Sequence, residues 1–466
     1  MRAPTWTGLL SALYTFLIAA AHLTSAWPNI PFRADGRWIV DASGANVTYV
    51  GVNWPGHGDV MIPEGLQHTS VEAIVSKLKG LGMNAVRLTY ATQMVDEYFD
   101  NGEKDVSIET ALVTALGKEN GTKVLGQILK NNPEFQASTT RLQVFDAVAA
   151  ECAKQEIYIL LDNHVSKAGW CCTPFDGNAW WGDVHFSVAN WMRGLTFMAE
   201  HAKSWPALTA MSLRNELRQP YTNFTFAQEA YNWQNWYNHS KLGASAIHSA
   251  NPTPLILLSG MDSSTQFDVL VDGKPLSPGT EPFNRSAFAP GFSDRLALEM
   301  HAYSIIEKVT DCSKFEEKLQ NQGFSTLTQP AEAQYPLLMT EFGFAQDDET
   351  WRTDVYATCI TSFLPKQRVG WFIWVIAGSY YIRDGTQEFD ESWGLLDSTW
   401  ENWRSPEFVE NGLKKMIRET LEAVQGGKGK TEDGQGQTPP DTNGAGGSRP
   451  TWCLLAALLF GILCVW

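Results

Sequence analysis

Several short signatures of hydrolytic and phosphate-handling centres are missing from this chain. It has no H-E-x-x-H and no G-x-S-x-G, which removes the usual zinc-protease and serine-hydrolase sites. It has no C-x-x-C and no His-x-His pair, so a metal centre is a poor reading, and Cys171-Cys172 are adjacent rather than spaced as ligands. Gly426-Gly-Lys-Gly-Lys-Thr431 imitates a phosphate loop, but the first glycine of that pattern would fall on Val424 and no strand precedes it. Positive charge is scarce. Thirty-five Lys and Arg against 51 Asp and Glu leave a formal charge of -16, which argues against nucleic acid as a partner.

What is present begins at the two ends. Arg2, the apolar stretch Gly8 to Ala21 and the small residues Thr24-Ser25-Ala26 form the three parts of a secretory signal peptide, assigned to residues 1–26. Residues 426–450 are a Gly/Pro-rich linker unable to bury a core. Residues 451–466 run apolar to Trp466, are shorter than the ~20 residues of a spanning helix, and have no basic flank behind them. With the small residues Asn443 to Ser448 upstream, this pattern predicts a GPI-anchor signal, a short tail anchor being the alternative. The expected location is the extracellular side of the cell membrane or the wall. Five sequons, at Asn46, Asn120, Asn223, Asn238 and Asn284, agree with export. Of seven cysteines, Cys453 and Cys464 lie in the tail. Cys152, Cys171, Cys172, Cys312 and Cys359 then suggest two disulfides and one thiol, with connectivity open.

Residues 27–425 are long enough for one large domain and are expected to act as a monomer. Trp38 to Val50 reads as a hairpin turning at Ser43-Gly44 and running into a buried strand. Eight short apolar runs follow: Val47–Val52, Asn84–Leu88, Ile157–Asp162, Ala210–Arg214, Leu255–Ser259, Leu296–His301, Leu337–Glu341 and Val369–Val375. Helical patterns lie between several of them, at Val71–Leu81, Leu142–Gln155, Trp191–Lys203 and Phe226–Ser249. Eight buried strands alternating with helices predict an α/β fold, a (β/α)₈ TIM barrel with an N-terminal β-hairpin and loop insertions. An open doubly wound sheet is the runner-up, but no Gly-rich first turn supports it. Asp100 to Ser138 reads as a polar loop insertion, and Pro252 to Pro290 carries loop chemistry.

Catalytic groups of such barrels sit at the C-terminal ends of strands. Those positions hold Arg87, Asp162-Asn163-His164, Asn215-Glu216, His301-Ala302-Tyr303, Glu341 and Trp374. Two carboxylates on separate strands, flanked by a cation and aromatics, suit glycosidic cleavage: one protonates the leaving oxygen while the other attacks the anomeric carbon. Taken singly each residue has an ordinary reading. Glu216 could be a surface charge, Arg87 half of a structural ion pair, and either histidine a hydrogen-bonded core residue; the set is stronger than its members. Nineteen tryptophans lean towards carbohydrate, because aromatic faces pack against sugar C–H faces. Trp54, Trp170, Trp180 and Trp181, in loops after strands, are candidate sugar platforms, with packing under long loops as the competing reading.

At these positions the chain resembles glycoside hydrolase family 5, the cellulase family. The matching stretches are Asn84-Ala-Val-Arg-Leu88, Leu161-Asp-Asn-His164, Ser212-Leu-Arg-Asn-Glu-Leu217, Glu299-Met-His-Ala-Tyr303, Leu338-Met-Thr-Glu-Phe-Gly343 and Gly370-Trp-Phe-Ile-Trp374. Gly51-Val-Asn-Trp-Pro55, Gly169-Trp-Cys-Cys172 and Gly378-Ser-Tyr-Tyr381 resemble a plant-and-fungal branch. The resemblance implies a retaining hydrolase of a β-linked, glucan-type glycan, with Glu341 as nucleophile and Glu216 as acid/base about 5 Å apart. It implies that Arg87 and Tyr303 hold Glu341, Asn215 holds the sugar 2-hydroxyl, His164 and His301 bind hydroxyls and orient the acid/base, and Trp374 floors the reacting-sugar subsite. No cofactor and no metal are expected. A wall-remodelling transglycosylase, a non-catalytic carbohydrate-binding surface protein and a metal-dependent barrel hydrolase using His164 and His301 are the competing functions.

Overall fold

The computed structural model describes residues 27–288, 291–304 and 308–425. The signal-peptide, linker and anchor expectations fall on residues 1–26 and 426–466, outside the described residues. Strands β1 (Arg33–Asp35), β2 (Trp38–Val40) and β3 (Asn46–Val47) form a small antiparallel sheet ahead of the barrel. The turn at Ser43-Gly44 is made by Asp41, whose carboxylate accepts from the backbone N–H groups of Ser43 and Ala45, with Gly44 at φ 81° where a side chain would be strained.

Eight parallel strands close the barrel: β4 (Val50–Trp54), β5 (Ala85–Ala91), β6 (Tyr158–Val165), β7 (Leu208–Ser212), β8 (Leu255–Ser259), β9 (Leu296–Ala302), β10 (Leu337–Phe342) and β11 (Gly370–Ile373). They pair in chain order, and β11 returns to β4. Each overlaps one of the eight apolar runs, because a strand covered on both faces is built mostly of apolar residues. Inside the barrel, Ala85, Leu160, Ala210, Leu255 and Leu338 meet Phe32 and Ile39 from the N-terminal sheet in one buried cluster. These barrel residues stand near the strands' N-terminal ends, so the small sheet fills the floor and leaves the opposite end for chemistry. A last antiparallel pair, β12 (Ser379–Arg383) and β13 (Thr386–Asp390), follows β11.

Helix α1 (Val71–Leu81) coincides with its expected span. Ser70 caps it by accepting from the Ala73 N–H, Gly82 ends it at φ 87°, and Val71, Ile74, Val75, Leu78 and Leu81 are buried at helical spacing. Each such side chain withdrawn from water contributes about 1.5–3 kcal/mol.

Two expectations are corrected. The insertion after β5 is not a loop: beyond α2 (Thr92–Asp100) it contains a helical pair, α3 (Ile108–Leu116) and α4 (Lys118–Asn131), joined at Gly117. Ser107 caps α3, and Ile108 and Leu112 are fully buried, so a short apolar face outweighs the polar composition. Helices α5 (Arg141–Lys154) and α6 (Val188–His201) follow as expected, but Phe226–Ser249 is two helices, α7 (Phe224–Ala230) and α8 (Trp233–Ala250). Asn232 breaks the run by turning extended and accepting from the Asn235 N–H.

Cys171 is bonded to Cys172 and Cys312 to Cys359, while Cys152 is a buried free thiol whose pKa burial pushes up.

Candidate active site

Alternation along a strand sends every second side chain into the barrel, and this decides who reaches the site. Arg87 is not at a strand end. It lies in the middle of β5, fully buried, with its guanidinium pointing across the lumen. Its Nη1 donates to Glu341 Oε1 at 2.6 Å and to Asn53 Oδ1 at 2.9 Å; its Nη2 donates to Asn215 Oδ1 at 2.8 Å and pairs with Asp162 Oδ1 at 3.0 Å. Glu299 stands 3.9 Å away and accepts from Ser212. Asp162, Glu299 and Glu341 all face this one cation, and burial raises the pKa of each carboxyl.

Glu341, on β10, takes Arg87 on one oxygen and the Tyr303 hydroxyl on the other at 3.0 Å. Burial pushes its pKa up, and His301 and Arg87 oppose that rise. Burial keeps Tyr303 protonated, so it remains a donor. Glu216 follows β7, and its carboxyl oxygen lies 3.0 Å from His301 Nδ1; the other ring nitrogen of His301 meets Thr340 Oγ1 at 3.1 Å. Burial pushes Glu216 up to about 7, with Arg218 and Arg87 pulling it back. His301 is lowered to about 4, again chiefly by burial, and is neutral at pH 7. A carboxylate oxygen of Glu216 and one of Glu341 lie within 4.8 Å of each other, with a His301 nitrogen in the same radius.

Glu216 has a left-handed backbone, φ 44°, a conformation costly for a residue with a side chain. Arg218 Nη1 holds it by donating to the Glu216 carbonyl at 2.8 Å, and the preceding Asn215 N–H donates to Asn163 O. His164 Nδ1 is 2.6 Å from Asp162 Oδ2, and its ring stacks on His57 at 3.9 Å and on Trp374 at 5.7 Å. A cavity of about 440 Å³ opens over this floor, lined by His164, Trp170, Cys171, Cys172, Asn215, Glu216, Tyr303, Glu341 and Trp374. Arg383, Phe389, Asp390, Glu391, Ser392 and Trp393 supply its remaining wall from β12, β13 and the segment after them.

All eight site residues read from the sequence are therefore in one place, Arg87 and His301 beneath the cavity and the other six lining it. The proposed tryptophan platforms divide. Trp170 lines the cavity, but Trp54, Trp180 and Trp181 are core residues, no more than 3 % exposed. The indole of Trp54 donates to Glu64 O and that of Trp180 to Ala230 O, which turns both rings inward. Asn53, His57, Glu299, Arg218, Arg383 and the two cysteines join the site only in the folded chain. Glu299 carried a signal, since it sits two residues before His301 on the same strand face; the hairpin residues carried none. Glu216, His301 and Glu341 are spaced closely enough to hold a cation, but Arg87 already neutralises Glu341 at 2.6 Å, so an ion there would meet a fixed positive charge.

A model of the family described as cellulase, glycosyl hydrolase family 5, matches residues 40–379. The chain is 34 % identical over 420 residues to a glycosyl hydrolase 5 family protein of Chamaecyparis obtusa, covering 87 % of this chain and 69 % of that protein. It is 26 % identical over 286 residues to the major extracellular endoglucanase of Xanthomonas campestris pv. campestris, covering 59 % of this chain and 52 % of that one, so it spans about half of that relative. Among solved structures, a hyperthermophilic endocellulase from Pyrococcus horikoshii superposes with a TM-score of 0.62 at 17 % identity, over 84 % of this chain and 99 % of that one. The catalytic domain of the Xanthomonas endoglucanase gives 0.58 at 20 % identity, over 85 % and 99 %. At such identities these two establish the shared barrel and nothing finer.

Proposed function

The chain belongs to glycosyl hydrolase family 5 and is an endoglucanase-like glycosidase, and from that premise we propose that it cleaves a β-linked, glucan-type glycan with retention, Glu341 as nucleophile and Glu216 as acid/base. The observation that carries this reading is the carboxylate separation. Within 4.8 Å, the pair is near the about 5 Å of retaining enzymes and short of the roughly 6.5–9.5 Å that leaves room for an attacking water. In the first step Glu341 attacks the anomeric carbon while Glu216 passes its proton to the leaving oxygen. In the second, Glu216, now ionised, takes a proton from water, which displaces Glu341.

The surroundings divide the two roles. Arg87 and Tyr303 both donate to Glu341, which favours its anion; among the described residues no Lys or Arg pairs directly with the Glu216 carboxyl, and burial keeps its proton to about pH 7. Asn215 is the partner of the sugar 2-hydroxyl, and Trp374, stacked beside His164, floors the subsite. Carbohydrate binding also accords with the Pyrococcus horikoshii endocellulase, whose complex holds cellotetraose.

The test is direct. Glu341→Gln should lower turnover by roughly 10⁴-fold or more, the scale of losing a nucleophile. Glu216→Ala should be partly rescued by azide or by substrates with good leaving groups. Normal activity in both variants would mean that the mechanism lies elsewhere. A glycan-panel screen identifies the sugar and linkage.

The reading extends to an extracellular monomer of the plant-and-fungal branch, attached through a GPI anchor. Its support is the signal-like first 26 residues, the apolar tail, two disulfides among the described residues, and the extracellular naming of the Xanthomonas relative. Four of the five sequon asparagines are exposed, which suits glycosylation, and Asn46 is half-buried. Release from the cell surface by a phosphatidylinositol-specific phospholipase tests the anchor.

A further inference from the structure

The side chain of Asn215 has three kinds of neighbour, and only two of them are strong hydrogen-bonding partners. Its Oδ1 accepts from Arg87 Nη2 at 2.8 Å. Its Nδ2 lies 3.3 Å from His164 Nε2, and 3.6 and 3.7 Å from the sulfur atoms of Cys171 and Cys172. His164 Nδ1 faces Asp162 Oδ2 at 2.6 Å, which places the ring proton on Nδ1 and leaves Nε2 as the acceptor. Arg87 and His164 thus account for the carboxamide oxygen and one N–H. The second N–H faces sulfur.

Sulfur accepts hydrogen bonds weakly, and two sulfurs bonded to each other have no S–H to donate and no proton to lose. Both cysteines line the cavity, and their sulfurs and a Glu216 carboxylate oxygen lie within 4.8 Å of one another. As separate thiols the two would form, with Glu216, a three-ligand cluster for a thiophilic cation beside the acid/base. Joined, they present a wall that offers the Asn215 amide only weak acceptors.

We infer that the Cys171–Cys172 disulfide is a positioning element for the reacting sugar: it gives the second N–H of Asn215 only a weak acceptor at the cavity wall, so that N–H is left available to the 2-hydroxyl oxygen, a stronger acceptor. The inference rests on the proposed role of Asn215. It adds that discrimination at the 2-position depends on what stands behind the amide. Serine at these positions would set a strong acceptor beside the N–H and compete with the sugar. Alanine would leave the N–H unsupported but without a competitor.

The experiment compares kcat/KM on an aryl β-cellobioside with that on its counterpart lacking the 2-hydroxyl of the ring bearing the aryl group. The full-length chain, Cys171→Ser/Cys172→Ser and Cys171→Ala/Cys172→Ala are measured together. The parent should strongly prefer the complete substrate. The serine variant should lose roughly tenfold on it, the worth of about one hydrogen bond, and less than about twofold on the deoxy substrate. The alanine variant should fall between parent and serine variant. An unchanged ratio, with both substrates slowed alike, overturns the inference and leaves the disulfide a structural staple.

Should the variants fail to fold, the same ratio is read on a Cys312→Ala/Cys359→Ala chain before and after mild reduction, where Cys171–Cys172 is the remaining disulfide among the described residues. There too the ratio should fall on reduction, and an unchanged ratio overturns the inference. If the parent turns over no β-glycoside in a full panel, the reading of the site fails first and the inference with it.

Discussion

The Glu216 carboxyl, raised by burial to about 7, sets the pH range over which this site can work. The first step needs Glu216 protonated and Glu341 ionised. Activity should therefore decline as pH rises through about 7, because the acid loses its proton, and should decline on the acidic side as Glu341 gains one. Burial lifts Glu341 as well, so the acidic limb begins above the ordinary glutamate value and the bell is narrow. A pH profile of kcat/KM checks this. A substrate whose leaving group needs no protonation should flatten the alkaline limb in the parent chain, and Glu216→Gln should show no such limb with that substrate. A limb that persists unchanged in Glu216→Gln would assign it to another group.

At the scale of elements, the hairpin β12–β13 is what turns an open barrel mouth into a walled cavity. Arg383 lies with its guanidinium carbon 3.3 Å from the centroid of Trp170, 4.4 Å from that of Phe389, and is tied to Glu391 at 2.7 Å. It pins a ring from the loop after β6 to a hairpin that follows β11. Arg383→Ala should free Trp170 and raise KM by roughly three- to tenfold, the equivalent of about 1 kcal/mol for a partly buried cation–π contact. The same variant should change kcat by less than about twofold, since Arg383 touches neither carboxylate. Steady-state kinetics separates the two constants; a loss confined to kcat would remove Arg383 from the substrate wall. Trp170 stands out in the sequence as a candidate platform, but its partner Arg383 carries no such signal. Which loop the hairpin meets depends on the barrel closing first.

At the scale of the whole domain, one disulfide ties together the helices on either side of the strand that carries Glu341. Cys312 begins the helix Cys312–Gln322 before β10, and Cys359 lies in the helix Val355–Gln367 after it, so their disulfide closes a span of 47 residues across that strand. Chain-entropy arguments value such a loop at about 4 kcal/mol. In a domain of this size that corresponds to a fall of about 5 °C in Tm for Cys312→Ala/Cys359→Ala, with kcat unchanged at temperatures where the chain stays folded. Scanning calorimetry beside an activity assay checks both halves of that statement.

The eight strands and the helix Val71–Leu81 could be read from residues alone, because burial on both faces writes a continuous apolar run; a strand end, where that run stops, drew attention to most of the proposed site residues, while Arg87 proved to lie mid-strand. Glu341 at the close of Leu337-Leu-Met-Thr is the clearest instance. Composition misled where a short apolar face sat in a polar stretch, as in Ile108–Leu116, and where an aromatic ring turned inward to satisfy its own N–H, as at Trp54 and Trp180. Only the tertiary structure brought a Glu216 carboxylate oxygen within 4.8 Å of one on Glu341, placed one arginine among three carboxylates, bent Glu216 into a left-handed backbone and set two sulfurs against Asn215. Local periodicity records which way a side chain faces along its own strand; distances between residues on different strands follow from the tilt, register and closure of the whole barrel, which no local stretch of sequence contains.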